Sequence, residues 1–179
     1  MTREIGWQAT GFELLGTDDK RHSLARLRGS NGTLVMFICN HCPYVKAVID
    51  DIVRDCLALR GDGVSSVAIM PNDSEAYPED SFDNMKRFAT SHEFGFPYLI
   101  DDTQIVGRSY GAVCTPDFFG FDKELKLKFR GRIHEMAPGL RKIEGARREL
   151  LEAMRQIART GQGPMEQTPS VGCSIKWRG

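Results

Sequence analysis

Two continuous apolar runs stand out in the first half of the chain. Residues 32–39 and Val64–Met70 contain no charged side chain and include several β-branched or aromatic residues. Such runs are typical of strands that are buried on both faces, as in the centre of a parallel or mixed sheet. Between them, residues 43–59 repeat apolar side chains at helical spacing, and Pro43 is tolerated only in a first helical turn. We therefore predict a helix that begins directly after Cys42 and ends before Gly61.

The remaining periodic segments predict shorter elements. The N-terminal part of the chain gives a small hairpin over 11–14 and 21–23 and, later, a helix over 82–89 that is capped by Ser81 or Asp80. The second half gives a strand over 96–100, a short helix over 104–110, two hairpin strands over 117–121 and 125–133, and a last helix over 141–160 that buries Ile143 and Ala146.

The order of these elements predicts an α/β fold. Alternating strands and helices followed by a hairpin favour one sheet between two helical layers, parallel in part and antiparallel at one side. A chain of 179 residues is typical of a single domain. We expect that domain to span 1–160, with an N-terminal β-hairpin extension. Residues 161–179 would form a C-terminal tail that packs on it.

Charge and hydropathy exclude several classes of function. The 24 basic residues balance 24 acidic ones, whereas nucleic-acid-binding proteins usually carry a basic excess. The longest strongly apolar run, 34–39, is far shorter than the about 20 residues that a membrane-spanning helix needs. Residues 1–16 lack the pattern of a secretory signal. We expect a soluble, cytoplasmic protein with no nucleic-acid or membrane partner.

The five cysteines provide the candidate chemistry. An odd number in a chain of this kind argues against a framework of structural disulfides. Cys39 and Cys42 are three residues apart, where a buried strand gives way to a helix. The unpaired N–H groups and positive dipole end of that helix stabilise a thiolate, and such sites lower a cysteine pKa from about 8.5 to about 3.5–7.5. Asn40 and His41 lie between the two sulfurs and would tune them.

This arrangement predicts a dithiol that cycles with a disulfide and needs no metal or cofactor. Stabilising the thiolate makes such a pair more oxidising than a general reductase. Two alternatives remain. The cysteines could be inert core residues, or zinc could be held by Cys39, Cys42, Cys114 and Cys173, with His41 or His134 joining them. Structural zinc usually clips loops, however, and here the pair opens an amphipathic helix.

A second element surrounds Pro116, directly before a predicted strand. On the residues alone, the Thr115–Pro116 bond could be an ordinary trans bond. Cys114 borders it, and Cys173 lies in a tail long enough to fold back, so either could take part in redox exchange with Cys39 or Cys42. Cys56 falls on the apolar face of the predicted helix and is assigned to the core. We assign His134 to the surface or a hairpin end.

These motifs carry a resemblance. A strand, a C-x-x-C pair at a helix start and a Thr-Pro pair about 70 residues later resemble the thioredoxin fold. More specifically, the chain resembles the redoxin or peroxiredoxin-like family, related to alkyl hydroperoxide reductase and thiol-specific antioxidant proteins. The matching segments are C-N-H-C-P-Y-V at 39–45, N-D at 72–73, Y-P-E-D-S at 77–81, G-A-V-C-T-P-D-F-F at 111–119 and G-C-S-I-K-W at 172–177.

The resemblance implies a three-layer α/β/α sandwich and a thiol–disulfide oxidoreductase. Cys39 would be the exposed attacking thiol and Cys42 the more buried resolving one. Thr115 and Pro116, joined by a cis bond, would face the substrate beside the disulfide. The substrate would be a protein or small-molecule thiol or disulfide, and a thioredoxin- or glutathione-type system would be the reductant. Homo-oligomerisation stays open.

The main alternative is a peroxiredoxin-like peroxidase. Peroxiredoxins place a threonine three residues before the reactive cysteine, within P-x-x-x-T-x-x-C. Here Met36 precedes Cys39 by three residues, and Cys39 itself precedes Cys42 by three. Gly32 and Val35 occupy the corresponding proline positions. The peroxide-activating residues are thus absent at both cysteines, and we expect any peroxidase activity to be slow.

Overall fold

A seven-stranded mixed sheet forms the centre of the computed structural model, which describes residues 2–179. Its strands are β1 (Glu13–Gly16), β2 (Arg21–Ser23), β3 (Gly32–Phe37), β4 (Val64–Met70), β5 (Tyr98–Ile100), β7 (Asp117–Asp122) and β8 (Leu127–Gly131). Their spatial order is β2-β1-β5-β4-β3-β7-β8, with β3, β4 and β5 parallel and the outer strands antiparallel. Short pairs outside this sheet are β6 (Cys114–Thr115) with β11 (Cys173–Ser174), and β9 (Met136–Ala137) with β10 (Arg141–Lys142).

Helices cover both faces of the sheet, so the predicted three-layer architecture is confirmed. They are α1 (Leu24–Leu27), α2 (Pro43–Arg60), α3 (Phe82–Ser91), α4 (Ile105–Tyr110) and α5 (Glu149–Thr160). One apolar cluster joins α2, α3 and α5 to the sheet, and a second joins α1, α4 and the N-terminal segment to it. No helix in the described part of the chain is both long and apolar enough to cross a membrane.

Helix α2 positions the C-x-x-C pair and matches its prediction closely. Cys42 is the N-cap residue, Pro43 occupies the first turn, and Gly61 is the C-cap. Proline fits there because the first helical N–H groups have no intrahelical partner. Most of the predicted apolar face is buried, with Val45 and Ile49 inaccessible to solvent, but the prediction is wrong for Leu57, which is 61% exposed. The packing of this face holds the start of α2 against the end of β3.

The last helix begins later than predicted. Residues 141–142 form β10 instead, Ile143 is 38% exposed, and α5 starts at Glu149. The physical reason is Gly145, whose φ of +74° is a left-handed conformation that an α-helix does not accommodate. The apolar spacing of the sequence therefore continues across residues 141–148, which lie outside the helix. The strands predicted over 32–39 and 96–100 are each two residues shorter at one end, and the strand predicted over 125–133 is two residues shorter at both ends.

The C-terminal segment lies against the Thr115–Pro116 region. Cys173 pairs with Thr115, and Ser174 with Cys114, in an antiparallel register. Gly172 permits this approach, because a Cβ atom there would lie 2.1 Å from the carbonyl oxygen of Thr115. Beyond the strand, the backbone of Lys176 exchanges hydrogen bonds with the loop at 72–73. These contacts fix the last residues of the chain beside the C-x-x-C pair.

Candidate active site

The turn between β3 and α2 carries both cysteines of the C-x-x-C pair. Cys39 is 1% exposed and Cys42 is fully buried. The expectation that Cys39 is an exposed thiol is therefore wrong. Its sulfur lies under Thr115 and beside buried Asp80, so no face of the side chain is open to solvent.

The Thr115–Pro116 segment contacts both sulfurs. The bond is cis, as the resemblance implied. Thr115 Oγ1 lies 3.4 Å from Cys39 Sγ, and the Thr115 carbonyl oxygen lies 3.2 Å from Cys42 Sγ. The structure thus brings together the two segments that the sequence analysis singled out, although they are more than 70 residues apart.

A third sulfur completes the cluster. Cys173 Sγ lies 2.8 Å from Cys42 Sγ, and its side chain is only partly buried. Cys114, the other additional redox candidate, donates instead to the Pro116 carbonyl oxygen at 3.5 Å. Burial raises the pKa of Cys114 to about 12, so this thiol stays protonated at neutral pH. Of the two additional candidates, Cys173 is the one in direct contact with the C-x-x-C pair.

The electrostatics distinguish Cys39 from Cys42. The pKa of Cys42 is lowered well below that of a free thiol, first by a hydrogen bond from Cys39 and then by bonds from Cys173 and the Val45 N–H. The pKa of Cys39 is raised, because it donates to Cys42, is desolvated and lies near Asp80. Burial of Cys42 and its contact with the Thr115 carbonyl oxygen act in the opposite direction, since both favour the thiol. The hydrogen bonds donated to Cys42 outweigh them, so its pKa lies below that of a free thiol.

A buried polar network lies behind Cys39. Asp80, fully inaccessible to solvent, accepts 2.9 Å hydrogen bonds from the Asn40 N–H and from Asn72 Nδ2. Tyr98 donates to Asn40 Oδ1 at 2.7 Å. His41 Nδ1 lies 2.7 Å from an Asp80 carboxylate oxygen, although not at a hydrogen-bonding angle. Asn40 and His41 thus connect the C-x-x-C turn to Asp80.

Sequence reasoning missed this role of Asp80. It treated Asp80 as one of two alternative helix caps, whereas Ser81 caps α3 by accepting from the Asn84 N–H. The one signal in the sequence that pointed to Asp80 is the Y-P-E-D-S segment at 77–81, one of the segments that carry the family resemblance. No local pattern assigns that aspartate to a contact 40 residues away.

The same cluster contains the residues that could bind a metal ion. Among residues 2–179, Cys39, His41 and Asp80 are the one group of three such side chains whose ligand atoms all lie within 4.8 Å of one another. The four sulfurs of the alternative zinc site do not converge in this way. His134 lies elsewhere, with Nε2 2.8 Å from an Asp51 oxygen.

A surface position for His134 is also wrong, because it is only 8% exposed, although it does lie just beyond the end of the hairpin strand β8. Asp51 of α2 provides a partner that allows a histidine to be buried there. His134 borders a cleft of about 390 Å³ that also reaches Pro116, Tyr44 and Val171. The cleft lies next to the redox cluster and is lined mostly by apolar side chains, a common property of binding sites.

The comparisons with known proteins agree with this geometry. The AhpC/TSA family model matches residues 5–130. An uncharacterized conserved protein from Geobacillus kaustophilus is 42% identical, with a TM-score of 0.92 over 98% of this chain and 93% of that one. A hypothetical protein from Sinorhizobium meliloti is 32% identical, with a TM-score of 0.91 over 99% and 97%. No curated protein matches the chain.

A more distant structure identifies the fold. The thioredoxin domain of a thiol-disulfide oxidoreductase from Bacteroides vulgatus is 17% identical, with a TM-score of 0.61 over 72% of this chain and 89% of that one. At this identity the likeness concerns the fold alone. The sheet, the C-x-x-C turn and the matching family model lead to one conclusion: the chain is a thioredoxin-fold protein and belongs to the AhpC/TSA family.

Proposed function

We propose that the protein is a thiol–disulfide oxidoreductase whose redox centre is the Cys39–Cys42 dithiol. One observation carries the proposal: the two sulfurs lie at the start of α2, and both contact Thr115, which precedes Pro116. A stabilised thiolate next to a second thiol is the arrangement that thiol–disulfide exchange requires. Protein or small-molecule disulfides are the proposed substrates, with a thioredoxin- or glutathione-type reductant.

The proposed cycle starts at Cys42 because its thiolate is stabilised. The Cys42 thiolate attacks a disulfide and forms a mixed disulfide, while the other sulfur leaves as a thiolate. Cys39 then loses its proton, attacks Cys42 and forms the Cys39–Cys42 disulfide, which releases the second sulfur. This order reverses the roles that the resemblance implies. Run backwards, the same steps oxidise a dithiol substrate.

The remaining polar residues have positioning roles in this proposal. Asn40 and Asp80 hold the C-x-x-C turn through the Asn40 N–H, while the Thr115 hydroxyl contacts Cys39. Pro116 and the adjacent cleft offer an apolar surface for the substrate.

The test is oxidation of the reduced protein with oxidised glutathione, followed by mass measurement. We expect a loss of two hydrogens that peptide mapping assigns to Cys39 and Cys42. This loss should disappear in Cys42→Ser and persist in Cys56→Ala, a control at a core thiol. Persistence of five free thiols, or stoichiometric zinc bound to the purified protein, would contradict the proposal.

Peroxide reduction is the second candidate, favoured by membership of the AhpC/TSA family. In that reaction a thiolate would take one peroxide oxygen, become a sulfenic acid and release hydroxide, and a second thiol would then condense with it and release water. Met36, at the position of the peroxiredoxin threonine, is a fully buried core residue, which opposes this candidate. We expect hydrogen peroxide consumption close to that of a free thiol. A much faster rate, lost in Cys42→Ser, would place peroxide reduction first.

A further inference from the structure

The geometry points to Cys173 as a third redox cysteine. We propose that it exchanges disulfides with Cys42 and thereby connects the enclosed Cys39–Cys42 pair to external thiols and disulfides. This inference rests on the proposed function, because it assigns the route by which electrons reach the same dithiol. It concerns residues 131 positions apart in the chain.

The first observation is the contact between the sulfurs. Cys173 Sγ and Cys42 Sγ are 2.8 Å apart, and a disulfide bond would shorten this distance to about 2.05 Å. A small movement of the two side chains therefore suffices for a covalent bond. Cys114 makes no such contact with Cys42, because its thiol donates to the Pro116 carbonyl oxygen instead.

The second observation is the placement of the tail strand. Strand β11 adds to β6 in antiparallel fashion, with Cys173 opposite Thr115. An extended peptide binds an exposed strand edge in the same manner, through backbone hydrogen bonds. Cys173 therefore occupies the place at which a substrate's cysteine would meet Cys42. The Ser170 hydroxyl, which donates to the Pro116 carbonyl oxygen at 2.6 Å, and the close approach of Gly172 to Thr115 hold the segment there.

The third observation is the difference in exposure. Cys39 and Cys42 are 1% and 0% exposed, whereas Cys173 is only partly buried. Of the three cysteines in the cluster, Cys173 is thus the residue that a disulfide in solution can approach. Since exchange requires direct approach of one sulfur to another, access selects Cys173 as the outer member of the cluster.

The chemistry balances as three successive exchanges. The Cys173 thiol, whose pKa is raised to about 11 by burial and by its contact with Cys42, gives its proton to the Cys42 thiolate 2.8 Å away, attacks an external disulfide, forms a mixed disulfide and releases one external thiolate. That released thiolate takes the proton from Cys42, and the Cys42 thiolate attacks Cys173, forms the Cys42–Cys173 bond and releases the second external thiolate. Finally Cys39 gives its proton to this second thiolate, attacks Cys42, forms the Cys39–Cys42 bond and releases Cys173 as a thiolate. Each step forms one S–S bond and breaks another, so the external disulfide is reduced and the Cys39–Cys42 dithiol is oxidised.

Trapping variants test the order of these steps. With oxidised glutathione, Cys39→Ser should stop at an intramolecular Cys42–Cys173 disulfide, identified by its two-hydrogen mass loss and by peptide mapping. Cys42→Ser should instead accumulate one glutathione on Cys173. Absence of the Cys42–Cys173 bond in the first variant, or glutathione on Cys39 rather than Cys173 in the second, would overturn the proposal.

Kinetics separate this inference from the proposed function. In Cys173→Ser, oxidation of the Cys39–Cys42 pair by oxidised glutathione should slow at least about tenfold, because the accessible sulfur is lost. Ser174→Ala, on the same strand, is the matched control and should keep the wild-type rate. An equal or faster rate in Cys173→Ser would overturn the inference while leaving the proposed function intact. Failure of the wild-type pair to oxidise at all would instead refute the proposed function.

Discussion

The two sides of the C-x-x-C turn differ sharply in character. Behind Cys39 lies the buried acid Asp80, held by Asn40 and Asn72. In front of Cys42 lie the Cys173 sulfur and the first N–H groups of α2. The first side raises the pKa of its cysteine, and the second lowers it.

This difference shows why the spacing of a C-x-x-C motif does not by itself determine which thiol reacts. Two sulfurs three residues apart share one helix start and affect each other most, because Cys39 donates to Cys42, and a distant segment packed against each sulfur adds to this difference. For Cys39 the segment is the loop before α3, and for Cys42 it is the C-terminal tail. Changing one side should therefore alter one cysteine more than the other.

The largest expected effect is the loss of the thiolate when Cys42 is replaced. The reduced wild-type protein should carry one thiolate at neutral pH, visible in its ultraviolet absorbance, and Cys42→Ser should carry none. Cys39→Ala should retain a thiolate with a higher pKa, because the S–H donor is lost and alanine supplies none in its place. A neutral-pH thiolate that persists in Cys42→Ser and disappears in Cys39→Ala would reverse the assignment.

Asp80→Asn tests the acidic side. The amide keeps one acceptor oxygen but places an NH2 group against the other donor, so one of the bonds from Asn40 and Asn72 is lost and we expect the free energy of unfolding to fall by about 1–3 kcal/mol. The pKa of Cys39 should fall as well, because a nearby negative charge is removed. Denaturant unfolding and the pH dependence of alkylation measure the two effects. Glu79→Gln, at the exposed neighbouring position, is the control, and equal behaviour of the two variants would contradict the role of Asp80.

Gly172→Ala tests the sulfur side. A Cβ atom 2.1 Å from the Thr115 carbonyl oxygen forces β11 away from β6. We expect formation of the Cys42–Cys173 disulfide in a Cys39→Ser background to slow between about 10- and 100-fold, since small misplacements of reacting groups have effects of this size. Gly11→Ala, where nothing lies within 4 Å of the added Cβ, is the control. An unchanged rate would show that the tail strand does not position Cys173.

A further prediction concerns the dependence of stability on pH. The pKa of Cys42 is lower in the folded protein than its usual value of 9.0, so the unfolded chain binds the extra proton between the two values. Within that window, the free energy of unfolding of the reduced protein should increase with pH by up to about 1.4 kcal/mol per unit and decrease as pH falls through the folded pKa. Urea unfolding of wild type and Cys42→Ser from pH 5 to 9 measures this term, and parallel curves would contradict it.

The sequence predicts the parts of the fold that depend on local pattern. Helix α2 differs from its prediction by one residue, because its apolar period, Pro43 and Gly61 all give the same limits. The start of α5 fails because apolar spacing continues through the left-handed Gly145. Local pattern detects periodicity, whereas the backbone conformation of one glycine decides where the helix begins.

For the site, the sequence identifies the chemistry but not the contacts. The C-x-x-C pair, Thr115 and Pro116 follow from motifs and resemblance, and Cys173 was one of two open candidates. The bonds to Asp80 and Cys173 join residues 40 and 131 positions apart. No period or spacing encodes such pairs, so the low exposure of Cys39 and the lowered pKa of Cys42 emerge only from the packed structure.

Redox titration of the wild-type protein tests the central claim most directly. The reduced protein is equilibrated with glutathione buffers of graded potential, quenched with an alkylating reagent and analysed by mass and peptide mapping. We expect a single two-hydrogen loss at Cys39 and Cys42, with a midpoint more positive than the about −270 mV of thioredoxin, because the reduced state contains a stabilised thiolate. Five alkylated cysteines across the whole range, or a midpoint at or below about −270 mV, would contradict this account.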